Sequence, residues 1–464
     1  MPKNYLKFSR RQVLLAGACL LARPSMAQEL SAEIPQLRIF DRKIAIGRQD
    51  FPAFGIEGAE ALHFYKGGRF RAEVMNELSE PALLNWHGIL APQGQAGGLS
   101  QEVALQPGER RIYDFPLRQA GTHMMRADTG FQQQGLLAAP LIIRDIDDLA
   151  IGEMENVVLF QDLQFGDGQD IVAEMTGLSA SGSLFSTIGL SKKPKKLLQA
   201  DGRAELAGLL ANAYGLDDPE VITVPDGASV RLRLINACAA SHLQVDFSGL
   251  EAVLIGLDGW PVSALTVGEL PLACGQRADV RVRLPRRGAF GVIGRVEGQM
   301  QAAGVILRSQ GVIPQPLEIT SPGPMITEFA LEGRPFGIGV PPERPVDVKA
   351  TFDFGGEIGK GFNINGNQAA DGVILQLRQG QRVELLLRNQ TGLSQAVHLQ
   401  GHAFQVHGVP WSRFAGPMRD SLLVPADGQV AVQFDADNPG KWSFAATDIY
   451  RREAGLRGVI AYAE

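Results

Sequence analysis

Apolar and polar residues alternate with a period of two along most of this chain, in short runs broken by Gly, Pro and Asn. Three runs share one design. Gly67 to Asn76, Gly227 to Asn236 and Gly380 to Asn389 each place a Gly nine positions before an Asn. They enclose Arg69-Phe70-Arg71-Ala72-Glu73-Val74, Val230-Arg231-Leu232-Arg233-Leu234-Ile235 and Arg382-Val383-Glu384-Leu385-Leu386-Leu387. Later in each copy, Gly108, Gly275 and Gly428 precede another alternating stretch. Alternation sends every second side chain to one face, so these runs read as half-buried antiparallel strands joined by turns. The pattern predicts an all-β protein of three similar β-sandwich domains. One stretch departs from it: Ala204 to Ala213 has helical composition, which predicts a short helix or an inserted loop.

Composition places the boundaries. A chain of 464 residues, 45% hydrophobic and 20% charged, suits about three ordinary domains with substantial cores. A first domain over 28–147 closes near Pro140-Leu141-Ile142-Ile143-Arg144-Asp145, and a second spans 148–312. A Pro-rich connector over 313–345 leads to a third domain over 346–464.

The first 27 residues read as an export signal. Ser9-Arg10-Arg11-Gln12-Val13-Leu14 matches a twin-arginine pattern, an apolar stretch follows, and Ser25-Met26-Ala27 is a small-x-small cleavage site. An ordinary secretory leader with paired Arg is the alternative. Either predicts a periplasmic protein with no transmembrane segment in the mature chain. Removing residues 1–27 takes five cations and no acid, moving the net charge from −6 to −11. That acidity argues against nucleic acid as a partner. The basic cluster at Lys192-Lys193-Pro194-Lys195-Lys196 reads as a solvated loop. Cys19 leaves with the leader. Cys238 and Cys274 remain, as a possible disulfide or as two buried thiols.

Four segments carry a resemblance to multicopper oxidases. Asn438-Pro439-Gly440-Lys441-Trp442-Ser443-Phe444 resembles that family's last signature, which continues into H-C-H with a later His; here those positions hold Ala445, Ala446, Thr447 and Arg451. Leu84-Asn85-Trp86-His87-Gly88 resembles H-W-H-G, with Asn85 at the first ligand position and His87 kept. Gly121-Thr122-His123-Met124-Met125-Arg126-Ala127-Asp128 resembles the second motif in its copper-resistance form, with Arg126 and Asp128 at the ligand positions. Gln395-Ala396-Val397-His398-Leu399-Gln400-Gly401-His402 resembles H-P-x-H-L-H-G-H, with Gln395, His398 and Gln400 at the ligand positions. Leu257-Asp258-Gly259-Trp260-Pro261 and Arg419-Asp420-Ser421 extend the likeness. The resemblance implies cupredoxin-like Greek-key sandwiches, with a copper cluster between the first and third.

The family uses ten His and one Cys as copper ligands, whereas this chain has seven His: His63, His87, His123, His242, His398, His402 and His407. Methyl, hydroxyl and guanidinium groups cannot replace thiolate and imidazole. The expectation is a degenerate member with no cofactor and no catalytic residue, resembling a twin-arginine-exported, division-associated branch of the family. It would act by binding protein partners in the cell envelope. Two alternatives stay open: a divergent metal-handling oxidase using His87 and His398 with Asp128, and a periplasmic ligand-binding or chaperone-like protein. At the vacated positions Arg126 and Asp128 are expected to pair. With Asn85, Gln400 and Thr447 they would form a hydrogen-bonded plug between the first and third domains.

Overall fold

A computed structural model describes residues 34–46, 49–97, 104–128, 130–146, 152–178, 196–327, 329, 331, 337–369, 372–409 and 412–463. The export signal and most of the Lys192–Lys196 cluster lie outside the described residues. Six sheets pair face to face in chain order as three sandwiches of cupredoxin-like Greek-key form, within one compact unit, Pro35–Glu464. Their strands run from Gln36 to Arg144, from Met154 to Ser309 and from Val348 to Tyr462. In the first, Leu37, Ile39, Phe70 and Val74 of one sheet meet Trp86, Met125 and Leu141 of the other. No described helix is long and apolar enough to cross a membrane.

The three repeats noted in the sequence occupy equivalent strands. Arg69–Asn76, Ser229–Asn236 and Arg382–Asn389 each pair in parallel with an earlier strand and antiparallel with a later one. Burial in the first alternates as its sequence predicts. The closing Asn does the same work in each copy. Asn76 Nδ2 donates to Glu80 O and Leu105 O, both at 2.8 Å, while its Oδ1 accepts from Leu78 N at 3.0 Å. Asn236 Nδ2 donates to Ser241 O at 2.9 Å and Leu272 O at 2.8 Å, and Oδ1 accepts from Cys238 N at 3.0 Å. Asn389 Nδ2 reaches Leu393 O, Val424 O and Pro425 O, and Oδ1 accepts from Thr391 N. Each Asn is buried and satisfies loop carbonyls that would otherwise be dry and unpaired.

The later Gly residues belong to the same device. Gly108 N donates to Asn76 O, Gly275 N donates to Asn236 O, and Asn389 N donates to Gly428 O. Spacing in sequence is thus a hydrogen-bonded clamp in space.

One expectation fails. Within Ala204 to Ala213 the residues Leu206–Ala211 form a strand, paired with Met154–Gln164. The neighbouring strand offers unpaired backbone groups, and that outweighs a weak helical preference. The helix of this region lies earlier, at Gly168–Thr176, where Asp167 caps it by accepting from Gln169 N.

Asn236→Ala should lower unfolding free energy by about 2–4 kcal/mol, since it strands buried carbonyls and one N–H. Urea denaturation checks this; a loss under about 0.5 kcal/mol would remove the clamp from the account.

Candidate functional site

Two strands from different sandwiches bring the retained histidines together. Leu84–His87 pairs with Gly121–Ala127, setting Asn85 opposite Arg126 and His87 opposite Met124. Gln395–Leu399 pairs with Lys441–Ala446, setting His398 opposite Ala445. The two imidazole rings lie with centroids 4.0 Å apart, tilted by 31°.

Between the sandwiches sits Arg277, with 0% of its surface exposed. Its guanidinium grips the Asp420 carboxylate with two bonds, one of 2.7 Å, and also donates to Gly275 O, Asp258 O and Thr122 O. Asp258 lies 3.5 Å from it and 3.0 Å from Arg419. Burial alone would raise the Asp420 carboxyl, but Arg277 outweighs it and holds the group well below the usual carboxylate range. Nothing larger than Gly fits at position 88. A Cβ there would lie 2.1 Å from Arg277 Nη2 and 2.9 Å from Asp420 Oδ2, and φ is +90°.

Partner chemistry assigns the ring protons. His87 Nε2 is 3.0 Å from Gly275 O and His398 Nδ1 is 2.8 Å from Asp420 O. Carbonyls only accept, so each of these nitrogens carries hydrogen. Ser421 Oγ lies 3.1 Å from the first and 3.2 Å from the second, and donates to Asp420 Oδ1 at 2.8 Å. Burial, then the neighbouring His398, Arg126 and Arg277, push the His87 pKa well down, so its ring is neutral. Ligand atoms of His87, His398 and Asp420 all lie within 4.8 Å of one another, a spacing that could hold a metal ion.

The expected plug does not form as a network. Among the described residues Arg126 makes no ion pair, and its Nε and Nη1 have no hydrogen-bond partner although only 3% of the residue is exposed. Asp128 lies past the end of Gly121–Ala127, so the two-apart rule for strands no longer holds it beside Arg126. It sits instead 3.6 Å from Arg452 and 3.5 Å from Asn85 Nδ2. Gln400 donates to Ala96 O and Gly97 O, and Thr447 Oγ1 to Ala396 O. Gln400 and Thr447 are thus satisfied by backbone carbonyls and Asp128 by side chains, while Arg126 keeps two unmet donors. Asp420, rather than Asp128, is the carboxylate grouped with the two histidines.

The segment that resembles a blue-copper strand is filled by other chemistry. Ala445, Ala446 and Thr447 are buried. Arg451 Nη1 donates to Ser394 O at 2.7 Å and Gln395 Oε1 at 3.0 Å, while Gln395 Nε2 donates to Thr391 Oγ1. Cys274 and Cys238 are both free thiols, so the possible disulfide is not formed. Cys274 Sγ points at carbonyls, 2.9 Å from Cys238 O and 3.3 Å from Thr447 O. Beside Arg451 a cavity of about 110 Å³ between the second and third sandwiches is lined by His242, Glu297, Gln299 and Asp448. Asp448 caps the helix Ile449–Glu453, accepting from Tyr450 N and Arg451 N. Burial pushes its pKa up to about 6 against the pull of Arg451.

Arg277, Asp448 and the convergence of Asp258 and Asp420 on Arg277 were not singled out from sequence. The signal was partly there. Asp258 and Asp420 sit in two segments noted for resemblance alone, and Arg277 directly follows the Gly275 turn of the repeat.

Three successive cupredoxin-like sandwiches with two histidines at the junction of the first and third define a blue-oxidase-type architecture. Family models described as multicopper oxidase match residues 58–148, 191–303 and 339–457, and the chain belongs to that family. Multicopper oxidase MmcO of Mycobacterium tuberculosis is 25% identical over 419 residues, covering 85% of this chain and 80% of that protein. Copper resistance protein A of Pseudomonas syringae pv. tomato is 26% identical over 367 residues, 70% of this chain and 59% of that one. Among solved structures, a multicopper oxidase of Campylobacter jejuni titled a metallo-oxidase aligns with a TM-score of 0.70 at 18% identity, covering 92% of this chain and 91% of its own. A laccase from Botrytis aclada aligns with 0.72 at 19%, covering 92% and 87%.

Arg277→Ala should cost about 3–5 kcal/mol, because it leaves the buried Asp420 carboxylate unpaired. The double variant with Asp420→Ala should lose clearly less than the sum of the two single losses, and simple additivity in a denaturation cycle would deny the coupling. For Asp448 the folded pKa lies above the unfolded value of 3.8. Its contribution is therefore most favourable below that value and is lost as pH rises through about 6. Asp448→Asn, which keeps the cap, should gain in melting temperature relative to the parent as pH is raised across that window. A pH-independent difference would contradict the assignment.

Proposed function

We propose that this chain is a copper-free member of the multicopper oxidase family that acts by binding in the cell envelope rather than by turnover. The observation that carries the reading is what surrounds the two retained histidines. A fully buried guanidinium, Arg277, holds the carboxylate nearest the two histidines, and each ring already donates to a backbone carbonyl. Blue copper needs a thiolate and two imidazoles. At the corresponding positions stand Ala446, Gln395 and Arg451, the last two bonded to each other. This donor set does not fit copper, so no electron-transfer step is assigned. His87 and His398 then serve as hydrogen-bonded parts of the core. The binding target is a protein of the periplasm. A division-supporting role rests on likeness to a copper-free branch and on no residue of this chain. Export by the twin-arginine route belongs to the same proposal.

A second reading draws on one observation, the grouping of His87, His398 and Asp420 within 4.8 Å. It makes the chain a metallo-oxidase or metal-handling protein with a single ion, in line with the catalytic names of its relatives.

Elemental analysis separates the readings. Protein purified after growth in copper and zinc should hold under about 0.1 metal ion per chain and show no oxidation of phenols or cuprous ion, since a closed set of two imidazoles and a carboxylate would otherwise bind stoichiometrically. Near-stoichiometric metal that vanishes in His398→Ala, together with oxidase activity, would decide for the second reading.

A further inference from the structure

A cleft of about 530 Å³ opens away from the histidine site, where the first and second sandwiches meet the connector that follows the second. Its floor is a close backbone approach. A Cβ on Gly121 would lie 2.4 Å from Gly259 Cα, and one on Gly259 would lie 2.6 Å from His123 Cε1. One wall is apolar. Trp260, Pro261 and Ile338 line it, and Ile338 is placed there because its N–H donates to Pro261 O at 3.3 Å.

The remaining wall is basic, in a protein that is acidic as a whole. Lys66, Arg118, Arg231 and Arg281 line it against two carboxylates, Asp145 and Asp279. Asp279 is already shared: Arg231 lies within bonding distance, Arg233 is 3.1 Å away, and Thr122 also donates to it. Arg281 is held 2.6 Å from Glu153, and Lys66 3.2 Å from Asp145. Arg118 is exposed and makes no ion pair among the described residues. The cleft also holds one unmet acceptor. Gln119 Nε2 donates to Gly259 O at 3.1 Å, but its Oε1 is buried without a partner.

We propose that this cleft binds a small aromatic anion, with its ring against Trp260, its acidic group at Arg118, and an N–H or O–H directed to Gln119 Oε1. The volume is within the usual range of about 300–1,000 Å³ for small-ligand sites, which pair apolar walls with a few placed polar groups. Indole supplies a flat contact at small entropic cost, and excess positive charge in a low-dielectric recess attracts anions. Carboxylate, sulfonate and phosphate share the chemistry that fits, since all three place oxygens where a guanidinium donates. The proposal is independent of copper, since no residue of the histidine site lines the cleft.

A fluorescent member of the class tests it. The mature chain titrated with 8-anilinonaphthalene-1-sulfonate at low salt should show one saturable site with Kd on the order of 10 µM. Salt should weaken it. Salicylate should displace the dye, whereas acetate at the same concentration should not. Arg118→Glu, an exposed change that leaves the core untouched, should weaken binding at least about tenfold, as should Trp260→Ala. Arg110→Glu, on an exposed strand position outside the cleft, should leave the affinity unchanged. Circular dichroism and melting curves confirm that each variant is folded. Absence of a saturable site, or affinity that survives both Arg118→Glu and Trp260→Ala, would overturn the proposal. Equal displacement by acetate would overturn its aromatic half.

Discussion

The junction of the three sandwiches depends on one buried cation. Arg277 belongs to the second sandwich, donates to Thr122 O of the first, and clasps Asp420 of the third. An ion taken fully out of water costs several kcal/mol unless charge and hydrogen bonds replace the solvent. Arg277 meets that condition only when all three sandwiches stand in their present register. The pair therefore adds little net stability over an apolar filling, yet it penalises any other arrangement of the junction severely. Gly88 is bare because the guanidinium fills the space a side chain would take.

The Asn clamps act one level below. Asn76, Asn236 and Asn389 each fasten the end of a central strand to two loops, and those loops hold the residues that approach the junction. Asn236 receives the N–H of Gly275, whose own carbonyl meets both Arg277 and His87. Local repetition and the central charge cluster are thus one connected set of hydrogen bonds. A scaffold organised in this way keeps its geometry through protein groups.

Much of this could be read from the chain. The Gly-to-Asn spacing identified the strands and the later Gly positions because a clamp that requires a carboxamide and a tight turn leaves those residue types at fixed offsets. His87 and His398 were found because motif frames survived around them. What escaped notice has a common physical reason. Arg126 and Asp128 sit two apart, but pairing by the strand rule fails where the strand ends, and only coordinates place that end between them. Arg277 and Asp420 lie 143 residues apart in different domains, so no local pattern joins them. Ala204 to Ala213 went wrong because propensity is local, whereas the strand partner that captures it comes from tertiary structure.

The two functional readings of the histidine site turn on a competition between cations. A metal held by His87, His398 and Asp420 would share its carboxylate with Arg277 and so lie near a second cation. At an effective dielectric constant near 20, two unit charges about 4 Å apart repel by about 4 kcal/mol, and a divalent ion by about twice as much. Asp258 offsets part of this, but it is already shared with Arg419. The Asp420 carboxylate is already engaged by Arg277, which cannot lose its proton to make room, whereas His87 Nδ1 has no hydrogen-bond partner. The guanidinium supplies the positive charge around which these strands close.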